Sequence, residues 1–486
     1  MSMGRREGKQ SDLWISYKEV TGAPGHRFYE KLNELLADRG FDREVESLCA
    51  PYYADTDEAG RPSIPPGVYF RMLLIGYFEG IESERGIAWR CADSLSLKTF
   101  LGVATTEASP DHSSLSRIRQ RLPQEVYEQV FLSILSMVES EGLLRGKVVG
   151  VDSTYLRADA SMRAIVRRDT GELYQKYLER LAKAEGISKP TAEDCRRMDK
   201  KRKGKKTSNR EWQSKTDTDA RIARLKDGRT RLAYKPEHVV DLETGAIIAA
   251  EMHAADVADS ASLPASLERA RTNVLATAKR AEAETKHDDD DPPSGGINVG
   301  SSDNDKVELV ADKGYHKAQL LRQLDDAGFR TYIPERRQRG RRSFCDKGGA
   351  ATAKAFYANR ARVARKKSKA YHRRRGELLE RTFAHICETG AHRRTRLRGR
   401  DNMHKRYLLQ AAAANLGLVM RKAFGYGTPR EMVARARAVF VLFVVTALWV
   451  LWCTTAVVAN SRWSKRSPLP AWLEWPWFHP IFSTGC

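Results

Sequence analysis

Cysteine is sparse and unpatterned in this 486-residue chain: Cys49, Cys91, Cys195, Cys345, Cys387, Cys453 and Cys486 are odd in number and include no CxxC pair. That distribution argues against a structural zinc site and suits a reducing compartment. The N-terminus, MSMGRREGKQSD, lacks an apolar run, so no secretory signal is expected. Acidic residues are also short: 62 Asp and Glu stand against 84 Lys and Arg, a formal net charge of +22. Such a balance favours a polyanionic partner through counterion release and steering, nucleic acid first, with a well-solvated surface as the plain alternative. What is present in quantity is apolar residue, 41% of the chain, enough for the core of two or three domains.

Residues 1–145 read as an all-helical N-terminal domain, with amphipathic segments such as PPGVYFRMLLIGYFEGI and PQEVYEQVFLSILSMVESEG, each opened by proline. Between them lies SPDHSSLSRIRQRL, where Ser113 or Ser114 is placed to cap a short helix. Arg117, Arg119 and Arg121 spread positive charge on it, as on a helix that tracks DNA in a helix-turn-helix-like unit; a plain surface helix of a bundle fits the periodicity equally well.

KVVGVDSTYLRADAS follows, residues 147–161. Val148, Val149 and Val151 read as a buried strand that ends in a carboxylate, Asp152, which is costly without a positive partner. Ten Lys or Arg against two acidic residues in 196–215 predict an exposed basic insertion. RLAYKPEHVVDLETGAIIAAEMHAAD then reads as a hairpin turning at Gly245, followed by a helix at about 260–284. The stretch 286–305 has linker composition, and its four consecutive Asp residues read as a solvated run in preference to a cation site.

VELVADKGYH repeats the earlier motif, a short apolar strand ending in Asp312, and KAQLLRQLDDAGFRTYIPE continues as helix, Gly328 and strand. Residues 336–375 hold sixteen Lys or Arg and one acidic residue, then run into GELLERTFAHI. There Leu379, Phe383 and Ile386 mark a buried stripe with Glu380 beside it, between Gly376 and Ala384 one turn away on either side. Glu377 is the competitor, but Arg373 and Arg381 flank it at helical spacing and explain it as an ion-paired surface residue.

A single strand-end Asp usually caps a turn. Two in matched settings, plus a helix glutamate beside a basic tract, point instead to a shared site. If the strands of Asp152 and Asp312 are parallel neighbours, their carboxylates meet beyond the strand ends, and Glu380 covers the same edge. Converging carboxylates call for divalent cations, and hard oxygen ligands select magnesium or manganese over zinc.

At these residues the chain resembles bacterial insertion-sequence transposases of the DDE class, in the broad group that includes insertion sequence five. The resemblance runs over about residues 25–430 and rests on SPDHSSLSRIRQRL, GVDSTYLRADAS, VADKGY, and RRGELLERTFAHI with RLRGRDNMHKRYLLQAAAANLGLVMRK. It implies an α/β fold: an RNase H-like mixed sheet flanked by helices in residues 146–425, with basic insertions at about 160–218 and 336–372. It further implies that Asp152, Asp312 and Glu380 bind two magnesium ions, with Asp152 shared between them. The expected chemistry is nicking at the element's terminal inverted repeats, then attack of the freed 3′-hydroxyl on target DNA, by a homodimer in the cytoplasm at the nucleoid. Arg381 is a phosphate contact or a surface ion pair. Related elements often carry Lys about seven residues past the glutamate; here that position is Cys387, which shifts the end-binding role to Arg393, Arg394 or Arg396.

Residues 426–486 depart from the pattern. AVFVLFVVTALWVLWCTTAVVA, 438–459, is 22 residues without a charge, and a Trp-rich tail follows. It is read as a divergent extension, a buried or dimer-packing helix, in preference to a membrane span. Two other readings of the chain remain: a transposase-derived DNA-binding protein without catalysis, favoured by the altered C-terminus, and a membrane-tethered basic protein, favoured by the apolar segment.

Overall fold

The structure is a computed structural model that describes residues 26–53, 63–202, 208–225, 227–285, 306–336, 344 and 349–463. The linker at 286–305, its Asp run and most of 336–348 lie outside the described residues. Residues up to Pro429 form one compact unit and those from Arg430 a second.

Among the described residues, α1 (Arg27–Asp38), α2 (Phe41–Cys49), α3 (Pro66–Phe78), α4 (Glu84–Ala92), α5 (Leu95–Leu101), α6 (His112–Arg121) and α7 (Gln124–Ser140) precede the first strand. Side-chain oxygens of Ser83, Ser94 and Asp111 cap α4, α5 and α6 by accepting backbone N–H bonds. The cap of α6 is therefore Asp111, where the sequence reading placed Ser113 or Ser114; Ser113 is instead the donor. The reading of α3 as amphipathic also fails, because all thirteen of its residues are buried at the centre of the bundle. Its one charge, Arg71, is fully buried and made tolerable by a bidentate pair with Asp42 (2.8 Å each) and bonds to Asn33 Oδ1 and the Phe100 carbonyl.

The sheet begins with β1 (Val148–Ser153) and β2 (Leu156–Arg157). An excursion follows: β3 (Ile165–Arg167), α8 (Tyr174–Ala184), α9 (Ala192–Lys201) and β4 (Trp212–Ser214). Here the expectation of an unpacked basic insertion is corrected over its described part. Leu178, Ala182 and Cys195 form a small core, and Trp212 is buried against Tyr174 and Tyr177. The basic side chains of α9 sit on the outer face, so like charge does not prevent packing.

The chain returns through β5 (Arg221–Arg224), β6 (Thr230–Asp241) and β7 (Ile247–Ala254), with Gly245 in the left-handed region (φ +88°) at the hairpin turn. Then come α10 (Asp259–Thr285), β8 (Val307–Ala311), α11 (Ala318–Asp326) and β9 (Phe329–Tyr332). β6 pairs antiparallel with β7 on one side and β1 on the other, and β1, β8 and β9 are parallel neighbours. This is the mixed RNase H-like order, β7-β6-β1-β8-β9, with short β2 and β5 also on β6. Pro236 is tolerated inside β6 because it falls between the stretches paired with β2 and β1, where only its carbonyl is used, by Thr154 N–H. α12 (Gly349–Val363), α13 (Lys366–Ala384) and α14 (Arg400–Phe424) complete the unit, with most of α14 buried between the sheet and the N-terminal helices.

In the second unit, α15 runs Pro429–Trp463. Within that unit none of the described side chains from 430 to 455 is buried. By length and composition alone this helix could cross a membrane.

Three histidines are buried neutral in the first unit. Burial lowers His238 and His392 to about 3 and His404 to about 4. The unfolded chain takes up protons below about 6.5 that these rings refuse in the folded state, so stability rises with pH across that window. Denaturant unfolding between pH 7 and pH 5 should show stability falling with acidification, with uptake of roughly three protons at pH 5. Stability that is flat over this range would mean the rings are not held neutral.

Candidate active site

β1 and β8 run parallel with Val151 opposite Ala311 as their last pair, so the next residues, Asp152 (still paired with β6) and Asp312, stand side by side where the two strands part. Alternation along each strand also puts them on one face. On β1 that face includes Gly150, where an added Cβ would stand 2.9 Å from Leu379 Cδ1 of α13. On β8 it includes Glu308, which accepts bonds from Lys367 Nζ (2.7 Å) and the Tyr371 hydroxyl of the same helix. Gly150 thus lets α13 lie against the strand, and both aspartates face the side of the sheet that α13 covers.

α13 crosses Asp152 directly. Arg375 donates from Nη1 to Asp152 Oδ2 at 3.0 Å and to the Val151 carbonyl at 3.5 Å. Phe383 stacks on His238 (centroids 4.1 Å apart), the residue paired across the sheet from Asp152, and His238 also bonds Thr382 Oγ1 and the Tyr407 hydroxyl. Glu380 lies on the turn between those two anchor points and is exposed. Glu377 is exposed as well and accepts a 2.7 Å bond from Arg381, the ion pair expected of it. Leu379 and Ile386 are fully buried as anticipated, and Leu378 and Thr382 widen the stripe.

One oxygen of each aspartate is fixed by the following backbone N–H: Ser153 to Asp152 Oδ1 (2.8 Å) and Lys313 to Asp312 Oδ1 (2.6 Å). Asp259, at the start of α10, ties the two strand ends together. It accepts from Ser153 Oγ (3.1 Å) and Lys235 Nζ (2.9 Å), and it lies so close to Gly314 that any side chain there would collide with it. Arg336, the first residue of the second basic tract, donates to the carbonyls of Lys313 and Gly314.

The sequence reading left Asp152 with a metal as its only counter-charge; the structure supplies Arg375 as well. Among the described residues no three His, Cys, Asp or Glu side chains stand together in coordination geometry. Two carboxylates of fixed orientation on adjacent strands nevertheless suit a hard divalent cation, while Glu380 is exposed on α13 and does not join them in such a cluster. The signal for Arg375 was present in the sequence. It lies four residues before Leu379, on the apolar stripe itself, and an arginine there needs a carboxylate opposite. His372, one turn earlier, lies between the charges: burial and Arg375 lower its pKa while Asp312 raises it.

Two family models match the chain, a transposase domain (DUF772) over residues 18–121 and a transposase DDE domain over residues 207–416. The chain belongs to the DDE transposases of insertion sequences. No curated protein and no solved structure matches it. The DDE match includes Asp312 and Glu380, whereas Asp152 falls between the two matched stretches. The β1–β8 pairing sets Asp152 beside Asp312.

The arginines singled out as DNA contacts fare unevenly. Arg119 is a correction: it is buried and ion-paired with Glu84, so it holds α6 to α4 and does not face a ligand. Arg117 is exposed, and Arg121 lies over the Tyr53 ring. Arg393, Arg394 and Arg396 pair with Glu388 (2.5 Å), Asp159 (3.0 Å) and Glu82 (3.1 Å) in the transposase. Cys387 lies partly buried in the π-helical turn His385–Thr389 that follows α13.

Proposed function

We propose that this transposase binds the terminal inverted repeats of an insertion sequence, cleaves the strands there and joins them to target DNA at one site built from Asp152, Asp312 and Glu380. The observation that carries the reading is the parallel β1–β8 register, which delivers two carboxylates to one edge under α13. Those three residues would hold two magnesium or manganese ions, which when bound activate the attacking oxygen and stabilise the leaving oxygen of an in-line displacement. The chain's own contribution is orientation. Backbone N–H groups of Ser153 and Lys313 fix the carboxylates, Asp259 holds the strand ends together, and Leu379 on Gly150 sets the height of Glu380.

In this proposal residues 1–145 contribute to recognition of the element's ends through Arg117 and Arg121, while Arg381, Arg393, Arg394 and Arg396 exchange their carboxylate partners for phosphates. Two copies of the chain act on the paired ends, in the cytoplasm where the DNA lies. Incubation with DNA carrying the element's end, with and without magnesium, tests this: magnesium-dependent nicks that free a 3′-hydroxyl support it, and binding without cleavage points to a protein that has kept only the DNA-binding role.

Affinity should also fall steeply with salt, because the tracts at 196–215 and 336–375 offer many phosphate contacts. Each contact on duplex DNA adds about 0.9 to the log–log slope, so five or six contacts give roughly −5. A slope near zero in a titration followed by fluorescence anisotropy would rule out the basic tracts as the DNA-binding surface.

A further inference from the structure

We propose that Arg375 is a transferable counter-charge, which neutralises Asp152 while the site lacks metal and then moves to a non-bridging oxygen of the DNA phosphodiester. The inference rests on the site reading above and adds a residue to it. Arg375 is 14% exposed and Asp152 29%, so the pair is shielded but still reachable by solvent and solute. The guanidinium is only partly satisfied where it stands: its Nε is buried without an acceptor among the described residues, as is Nε2 of His372 one turn away on the same helix. A fully committed structural arginine is normally bonded on both edges, as Arg71 is in this chain.

There is also room beside it. A Cβ added to Gly376 would meet nothing within 4 Å, so α13 is uncovered at the residue that follows Arg375. A phosphate oxygen entering there would find a guanidinium with spare donors, and planar bidentate recognition of phosphate is what such a group does best. Oδ1 of Asp152 is engaged by the Ser153 N–H, so a cation held by Asp152 would compete with Arg375 for Oδ2. Loading of the site therefore releases the arginine at the place where substrate charge arrives.

The test uses the full chain and manganese, whose binding is read by electron paramagnetic resonance without turnover. Arg375→Ala and Arg375→Gln should each bind Mn2+ about fivefold more tightly than wild type, since a shielded surface ion pair worth about 1 kcal/mol no longer competes. In calcium, the same variants should bind end DNA with a salt slope shallower by about 0.9, the loss of one phosphate contact. Thermal unfolding confirms that each variant is folded; Gln, shorter and uncharged, keeps more of the side chain's apolar stem and an N–H donor, so it reads the same effect if Ala does not fold. Unchanged or weaker Mn2+ binding in both variants overturns the counter-charge role, and an unchanged slope overturns the transfer to phosphate. Failure of the site reading looks different: Asp152→Asn would then bind Mn2+ as well as wild type.

Discussion

Asp152→Asn and Asp312→Asn should each lower strand cleavage by on the order of 10³-fold or more, while binding to end DNA stays within about twofold of wild type. Asp312 is exposed and Asp152 partly exposed, both just past the last β1–β8 pair, Val151 and Ala311, so the amide leaves the packed core untouched. In the proposed site each substitution removes a charged ligand needed at every phosphoryl transfer, while the basic tracts are unchanged. Cleavage by gel and binding by anisotropy separate the two effects. Wild-type nicking by either variant would show that the strand-end aspartates are not the reaction centre.

The second large effect distinguishes two glutamates three residues apart on α13. Glu380→Gln should abolish cleavage and joining together, because the turn that carries it is pinned over Asp152 by Arg375 on one side and Phe383 on the other. Glu377→Gln should cost only the 0.2 to about 0.5 kcal/mol of a helix-surface pair with Arg381, and leave both reactions near wild type. An inactive Glu377→Gln protein beside an active Glu380→Gln protein would mean that the catalytic face of the helix lies about a sixth of a turn away.

Much of this geometry was legible in local pattern. The apolar runs before Asp152 and Asp312 identify two strands, the Leu379 and Ile386 spacing orients α13, and Gly245 and Gly328 mark the turns around the hairpin and the helix-to-strand junction. What stayed hidden depends on contacts between distant segments. Nothing near Arg119 in sequence announces Glu84, and although Arg375 stands out on its apolar stripe, nothing near it names Asp152, more than two hundred residues earlier, as the partner. The full burial of α3, by contrast, was legible: PGVYFRMLLIGYF is apolar on every face apart from Arg71, and a helix apolar all round is a buried one. The insertion at 196–215 misled because charge density is visible in sequence and the Trp212, Tyr174 and Tyr177 cluster that packs beneath it is assembled from separate segments. Sequence reading also could not bring Asp259 into the site, since its partners Ser153 and Gly314 lie on either side of it, one more than a hundred residues before.

The central claim is that the carboxylates at the β1–β8 edge hold metal against the reacting phosphate, and sulfur substitution tests it most directly. An end substrate in which sulfur replaces the bridging 3′-oxygen at the cleavage point carries a leaving atom that binds magnesium poorly and manganese better. Cleavage of this substrate by the wild-type chain should be slow in magnesium and recover in manganese, relative to the all-oxygen substrate. An equal effect of sulfur in both metals would contradict contact between metal and leaving group at this site.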